Sequence, residues 1–264
     1  MFEKKEWFHF IIAVFVMAFA FGFNDGKDEF IFLSWLVNML WVLLMVFVSF
    51  FIYQLAQKTV AKMHGFKTEF KIWGIDNFIW HPFKGVHIKK ENDFPKRFRL
   101  FGKDIVINSI PLGIILAIIV TIATNGKLLW LGISHYDLLI KRSKRLGRKF
   151  VNVAGYDEAK IALAGPFAAI VLMVIFKLLN NQGSFDQIIM INTWIAIFNM
   201  IPFFQFAGGK VWNGSRVLYV FSAVFIAAMA VLIHFLDVIV LLVVSGALAL
   251  IVAIIFFVKR YVEN

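Results

Sequence analysis

The sequence predicts an all-α polytopic membrane protein with six transmembrane helices, one re-entrant segment and a small β-sheet on the cytoplasmic side. Three observations carry this reading. Apolar residues fill 61% of the 264 positions and charged residues only 16%, whereas a soluble domain carries about 25% charged residues. Seven apolar stretches approach the roughly 20 residues that a bilayer crossing needs. The 27 Lys and Arg exceed the 16 Asp and Glu, for a net charge of +11, and they gather in loops, as they do on the cytoplasmic side of membrane proteins. These features exclude an ordinary soluble enzyme and a disordered chain. With no cysteine, disulfide staples and thiolate metal sites are excluded too. The positive charge is a topology signal, and no nucleic-acid-binding module is present.

The apolar stretches cover residues 8–23, 31–56, 105–124, 159–179, 188–206, 217–235 and 238–258. The first is followed by an acidic loop holding Asp25, Asp28 and Glu29, and no small-residue cleavage site follows it, so it reads as a span and not a signal peptide. Residues 57–104 hold eleven Lys/Arg against five acids, and residues 125–158 seven against three. Both loops therefore read as cytoplasmic, and 105–124 between them cannot cross. Pro111 and Gly113 near its start suit a segment that dips into the bilayer and returns, which is tolerated where protein buries it. Six spans remain, and both termini fall in the cytoplasm.

Between the spans, Phe66-Lys67-Thr68-Glu69-Phe70-Lys71-Ile72-Trp73 alternates apolar and polar residues, the period of a half-buried strand. Residues 128–140 form a second strand candidate. The chain thus reads as one membrane domain over 1–264, with a core at 31–216 and a strand-rich insert at about 66–140. Five basic residues within 142–149 read as a solvated face near anionic headgroups.

Three segments could carry chemistry. The first is Tyr53-Gln54-Leu55-Ala56-Gln57 at the end of the second span, running on to His64-Gly65-Phe66. The second is Ala164-Gly165-Pro166-Phe167-Ala168-Ala169, and the third Asn199-Met200-Ile201-Pro202 followed by Phe206-Ala207-Gly208-Gly209-Lys210. In this order and on these spans, the trio resembles the site-2 protease family of intramembrane zinc metalloproteases, archaeal type. The resemblance covers most of 31–216. In that family the first segment reads H-E-x-x-H, where two His at i and i+4 share a helix face and bind zinc while the Glu activates a metal-bound water. The second reads A-G-P-x-A-N. An Asp eight residues after the Asn of the third segment completes the ligands.

Laid on this chain, the resemblance puts the ligand positions at Tyr53, Gln57 and Ala207 and the general-base position at Gln54, all substituted. Asn199, Gly165 and Pro166 match, whereas the Asn of the second motif falls on Ala169. A neutral amide and a protonated phenol are poor zinc ligands, and Gln54 cannot take a proton from water, which forfeits about 10²–10⁴ of acid–base catalysis. The expectation is a site without zinc or any other cofactor and without hydrolytic activity. The four changes are mutually consistent, because a carboxylate left without its cation would cost about 2.5–3.5 kcal/mol within the bilayer. Tyr53 and Gln57, one turn apart, are expected to hydrogen-bond each other. Asn199, Gly165, Pro166, Pro202 and Gly208 are the candidates for holding a substrate; Asn199 serves equally well as a tie to a neighbouring span.

What the resemblance implies is a scaffold in a prokaryotic plasma membrane that binds a transmembrane or extended peptide segment, with the lipid bilayer as its other partner. The alternative is an active, or a deliberately inactivated, zinc endopeptidase of the same family. Among the six histidines, His81 and His87 have no metal-motif spacing, and His135 with Asp137 supplies only two ligands on one strand face. A channel or carrier is disfavoured by the scarcity of ionisable residues within the spans.

Overall fold

A computed structural model describes residues 3–24, 26, 29–74, 79–81, 85–87, 96–100, 103–107, 110–140, 155–180, 182–203 and 205–262; the basic run at 142–149 lies outside them. The chain is mostly helical: α1 (Lys4–Gly22), α2 (Phe32–Met63), α3 (Leu112–Ala123), α4 (Gly155–Leu179), α5 (Asp186–Asn199), α6 (Ala207–Gly214), α7 (Arg216–Leu232) and α8 (Val238–Tyr261). Of these, α1, α2, α4 and α8 are long and apolar enough to cross a membrane. At 1.5 Å per residue, the 14 residues of α5 and 17 of α7 span about 21 and 25 Å, and the 12 of α3 about 18 Å, against a hydrocarbon core of about 30 Å.

Local chemistry explains where the helices stop. The second helix continues past residue 56 to Met63 and ends at Gly65, whose φ of 80° is the left-handed geometry of a helix C-terminus that glycine adopts without strain. The fifth apolar stretch is not one continuous helix. It breaks after Asn199 because Pro202 disfavours helical geometry at the residue before it, and α6 begins only at Ala207. The third stretch is also divided: its first residues belong to a strand, and α3 starts after Pro111, a residue suited to a helix entrance.

Six strands lie within the described parts of residues 66–140: β1 (Phe66–Ile72), β2 (Ile79–His81), β3 (Gly85–His87), β4 (Lys96–Leu100), β5 (Lys103–Ile107) and β6 (Ser134–Ile140). They form antiparallel pairs β1–β6, β2–β3 and β4–β5. The β1–β6 ladder runs from Phe66 opposite Ile140 to Ile72 opposite Ser134. As the alternation predicts, Phe66, Thr68 and Phe70 point inward.

Helix α4 is central, packing against α2, α5 and α6, while α7 and α8 pair chiefly with each other. An aromatic column crosses the bundle: Phe10 stacks on Phe50 at 5.5 Å, Phe50 on Tyr53 at 5.8 Å, and Phe70 of β1 packs edge-on to Phe10 and Phe50. A buried carboxylate fixes the end of this column. Glu6, 1% exposed, accepts hydrogen bonds from Lys58 Nζ (2.6 Å) and from the backbone N–H groups of Phe70 (2.9 Å) and Glu3 (2.6 Å). Lys58 also donates to the Thr68 carbonyl at 3.0 Å. One ion pair therefore ties α1, α2 and β1 together.

Candidate functional site

Side chains more than 150 positions apart in sequence meet at one small cavity. Tyr53, Gln54 and Gln57 from α2, Ser134, His135 and Tyr136 from β6, and Asn199, Gln205, Phe206 and Ala207 from the segment joining α5 to α6 line it, and its volume is about 10 Å³. Every position that the family resemblance assigns to a ligand or to the general base, namely Tyr53, Gln54, Gln57 and Ala207, is in this wall, together with Asn199. Tyr53, Gln54, Gln57 and Ala207 are all at most 5% exposed.

The fit of α2 to α4 orients the first three. A Cβ added to Gly165 would lie 2.4 Å from the Tyr53 ring, so only glycine lets the two helices approach with a tyrosine between them. Next to it, Pro166 stands inside α4. Proline has no N–H, so the carbonyl four residues earlier, Ala162, loses its helical donor. Gln57 supplies one: its Nε2 donates to the Ala162 carbonyl at 3.4 Å. This corrects the expectation of a Tyr53–Gln57 bond. The proline-freed carbonyl competes for the amide, and the Tyr53 ring is held against Phe50 and Gly165.

A cycle tests this pairing. Gln57→Ala leaves the Ala162 carbonyl bare and costs about 1–3 kcal/mol. In a Pro166→Ala background, where the helix regains its own donor, the same change should cost markedly less. Thermal unfolding of the four proteins in one detergent measures the difference, and equal costs in both backgrounds would refute the pairing.

Other predicted residues are placed as follows. Asn199 Nδ2 donates to the Ile195 carbonyl of its own helix at 2.9 Å, and not to a neighbouring span. Ala169 is fully buried in α4 and packs in the core. Gly208 lets the turn back onto α5 close, since a Cβ there would fall 2.3 Å from the Met200 carbonyl oxygen. Pro202 lines a separate groove of about 340 Å³ with Gly209, Trp212 and Asn213. The 200–206 segment is anchored by Phe206, which packs against Trp73, Phe198 and Phe203 at ring distances of 5.5–5.9 Å.

The wall contributed by β6 and Gln205 is absent from the sequence reading, which weighed His135, Tyr136 and Asp137 only as a metal cluster. Lys210 holds this strand in place: its Nζ donates to the Tyr136 carbonyl at 2.6 Å, lies 3.5 Å from the Tyr136 ring centroid and 3.5 Å from Glu158 Oε1. Burial pulls the Lys210 pKa down, with Glu158 and Asp137 opposing. Burial, with the Glu158 charge adding to it, pushes the Tyr136 phenol well above its ordinary pKa. Tyr136 is therefore a neutral hydroxyl at any physiological pH. Outside the cavity, Asp137 pairs with Lys71 at 2.8 Å and lies 3.7 Å from His135 Nε2. Burial raises the Asp137 carboxyl, but the Lys71 hydrogen bond and the nearby cationic side chains outweigh that and hold it below the usual range.

This donor set does not fit zinc. Zinc sites draw on at least three His, Cys or carboxylate ligands. The lining offers one imidazole, His135, beside amides, hydroxyls and a methyl group. Among the described residues, no three His, Asp or Glu side chains are grouped so as to hold a metal ion. His64, at the end of α2, instead meets Asp157 at 3.4 Å. The carboxamides and phenol can donate and accept hydrogen bonds, but none of them activates a water for attack on a peptide bond. No protein-family model, curated protein or solved structure matches the chain.

Proposed function

We propose that this chain is a site-2-protease-like membrane scaffold that binds a transmembrane or extended peptide segment without zinc and without cleaving it. The observation that carries the proposal is the meeting of Tyr53, Gln54, Gln57, Asn199 and Ala207 at one cavity, since these residues come from two segments about 145 positions apart. Their neutrality supports the zinc-free half of the reading. In this reading α1, α2, α4, α5, α7 and α8 are the six spans, α3 with its short length is the re-entrant segment, and both termini are cytoplasmic.

The groove beside Pro202 and Trp212 suits an unwound segment, with the outer edge of β6 beyond the Tyr136 carbonyl that Lys210 holds; the outer edge of β1 is taken up by Glu6 and Lys58. Strand addition would satisfy the peptide backbone, which otherwise exposes unpaired polar groups at membrane depth. A photo-crosslinking amino acid at Trp212, in the full chain reconstituted in lipid, tests this. With a transmembrane peptide interrupted by Gly-Pro, adducts should form and the peptide should stay intact. Equal crosslinking to an uninterrupted polyleucine helix, or cleavage of the peptide, would defeat the proposal.

A further inference from the structure

Gln57, Gln205 and Tyr136 of the cavity lining each carry a buried polar atom with no protein partner, the two carboxamide oxygens and the phenol hydroxyl. Gln57 and Tyr136 are 2% and 5% exposed, so bulk water does not satisfy them. Buried polar atoms are nearly always hydrogen-bonded, and three orphans on one cavity call for a common occupant. Their chemistry specifies it. Two are obligate acceptors and the third, a neutral phenol, donates. The complement is a small molecule with two donor hydrogens and one acceptor lone pair. Size narrows the choice further: about 10 Å³ is close to the roughly 10–15 Å³ at which a single water fits. A carboxylate is excluded, because it would face two acceptors.

We infer that this cavity is a binding site for one ordered water, which donates to Gln57 Oε1 and Gln205 Oε1 and accepts from the Tyr136 hydroxyl. Three hydrogen bonds is the usual complement of a buried water. The water links α2, β6 and the α5–α6 segment, so it does structurally what a cation would do in a charged site, with hydrogen bonds in place of coordinate bonds. The inference rests on the cavity's geometry alone and stands whether or not the chain binds peptides.

Two measurements test it on the full chain in lipid nanodiscs. A structure at a resolution that shows ordered waters should show one peak within hydrogen-bonding distance of all three atoms. An empty cavity, a direct Tyr136–Gln bond, or a peak with the short contacts of a metal ion would overturn it. The second measurement is thermal unfolding of Tyr136→Phe, Gln205→Leu and the double variant. If the water bridges both side chains, each single change lowers Tm by about 2–4 °C, and the double variant loses less than the sum. If the hydroxyl has no partner, Tyr136→Phe leaves Tm unchanged or raises it, and the inference fails.

Discussion

The variant carrying Tyr53→His, Gln54→Glu, Gln57→His and Ala207→Asp is expected to bind about one zinc ion per chain and to cut a model transmembrane peptide that the unmodified protein leaves intact. The four positions share the lining of one cavity. Positions 53 and 57 lie one helical turn apart on the cavity face of α2, where two imidazoles can share a metal. Position 207 opens α6, and a carboxylate in the first turn of a helix is favoured by the helix dipole. Structural zinc in zinc-finger peptides contributes about 10–16 kcal/mol, so even a weaker three-ligand site can outweigh the cost of rearranging three side chains. The Gln57→His change forgoes the bond to the Ala162 carbonyl. The metal-free variant should therefore unfold at lower temperature than the parent, and zinc should restore it. The triple variant that keeps Gln54 separates binding from catalysis: it should take up zinc and still fail to cleave, because the acid–base contribution of about 10²–10⁴ is missing.

Removing the Glu6 carboxylate should produce the largest loss of stability. Glu6→Ala takes away the partner of the Lys58 ammonium, whose side chain is only 12% exposed, and breaking a buried pair from one side costs about 3–5 kcal/mol. It also strips the Phe70 N–H of its acceptor, loosening β1 and, through the β1–β6 ladder, the strand that carries His135 and Tyr136 to the cavity. The double change Glu6→Leu with Lys58→Met should recover the part of the loss due to the unpaired charge, but not the part due to the bare Phe70 N–H. Thermal unfolding in detergent measures both. A Glu6→Ala variant within 1 kcal/mol of the parent would show that the ion pair is dispensable.

These two predictions draw on different parts of what the sequence discloses. Apolar run lengths identify the helices, and the alternation at 66–73 identifies β1, because these signals are local. The proposed frame of the site rests on equally local intervals: one helical turn between 53 and 57, and eight residues between 199 and 207. What escapes is long-range. Nothing local tells that β6 pairs with β1 so as to bring Tyr136 to the site, or that Gln205 closes it. Glu6 gives only a faint sign, an acid at the head of an apolar helix. Its partners, Lys58 and the Phe70 N–H, lie more than fifty residues away. The Gln57–Ala162 bond was readable in principle, since Pro166 announces an orphaned carbonyl at 162, but its donor lies on another helix. The break after Asn199 follows from Pro202 and shortens a stretch that hydropathy alone reads as continuous.

In the proposed reading, the neutral side chains of Tyr53, Gln54, Gln57 and Ala207 stand where a charged site would hold a cation. Metal analysis of the 264-residue chain, purified in zinc-containing buffer without chelator beside the four-residue variant, addresses this most directly. Zinc should be far below stoichiometric in the unmodified protein and about one per chain in the variant. About one zinc per chain in the unmodified protein would contradict that reading.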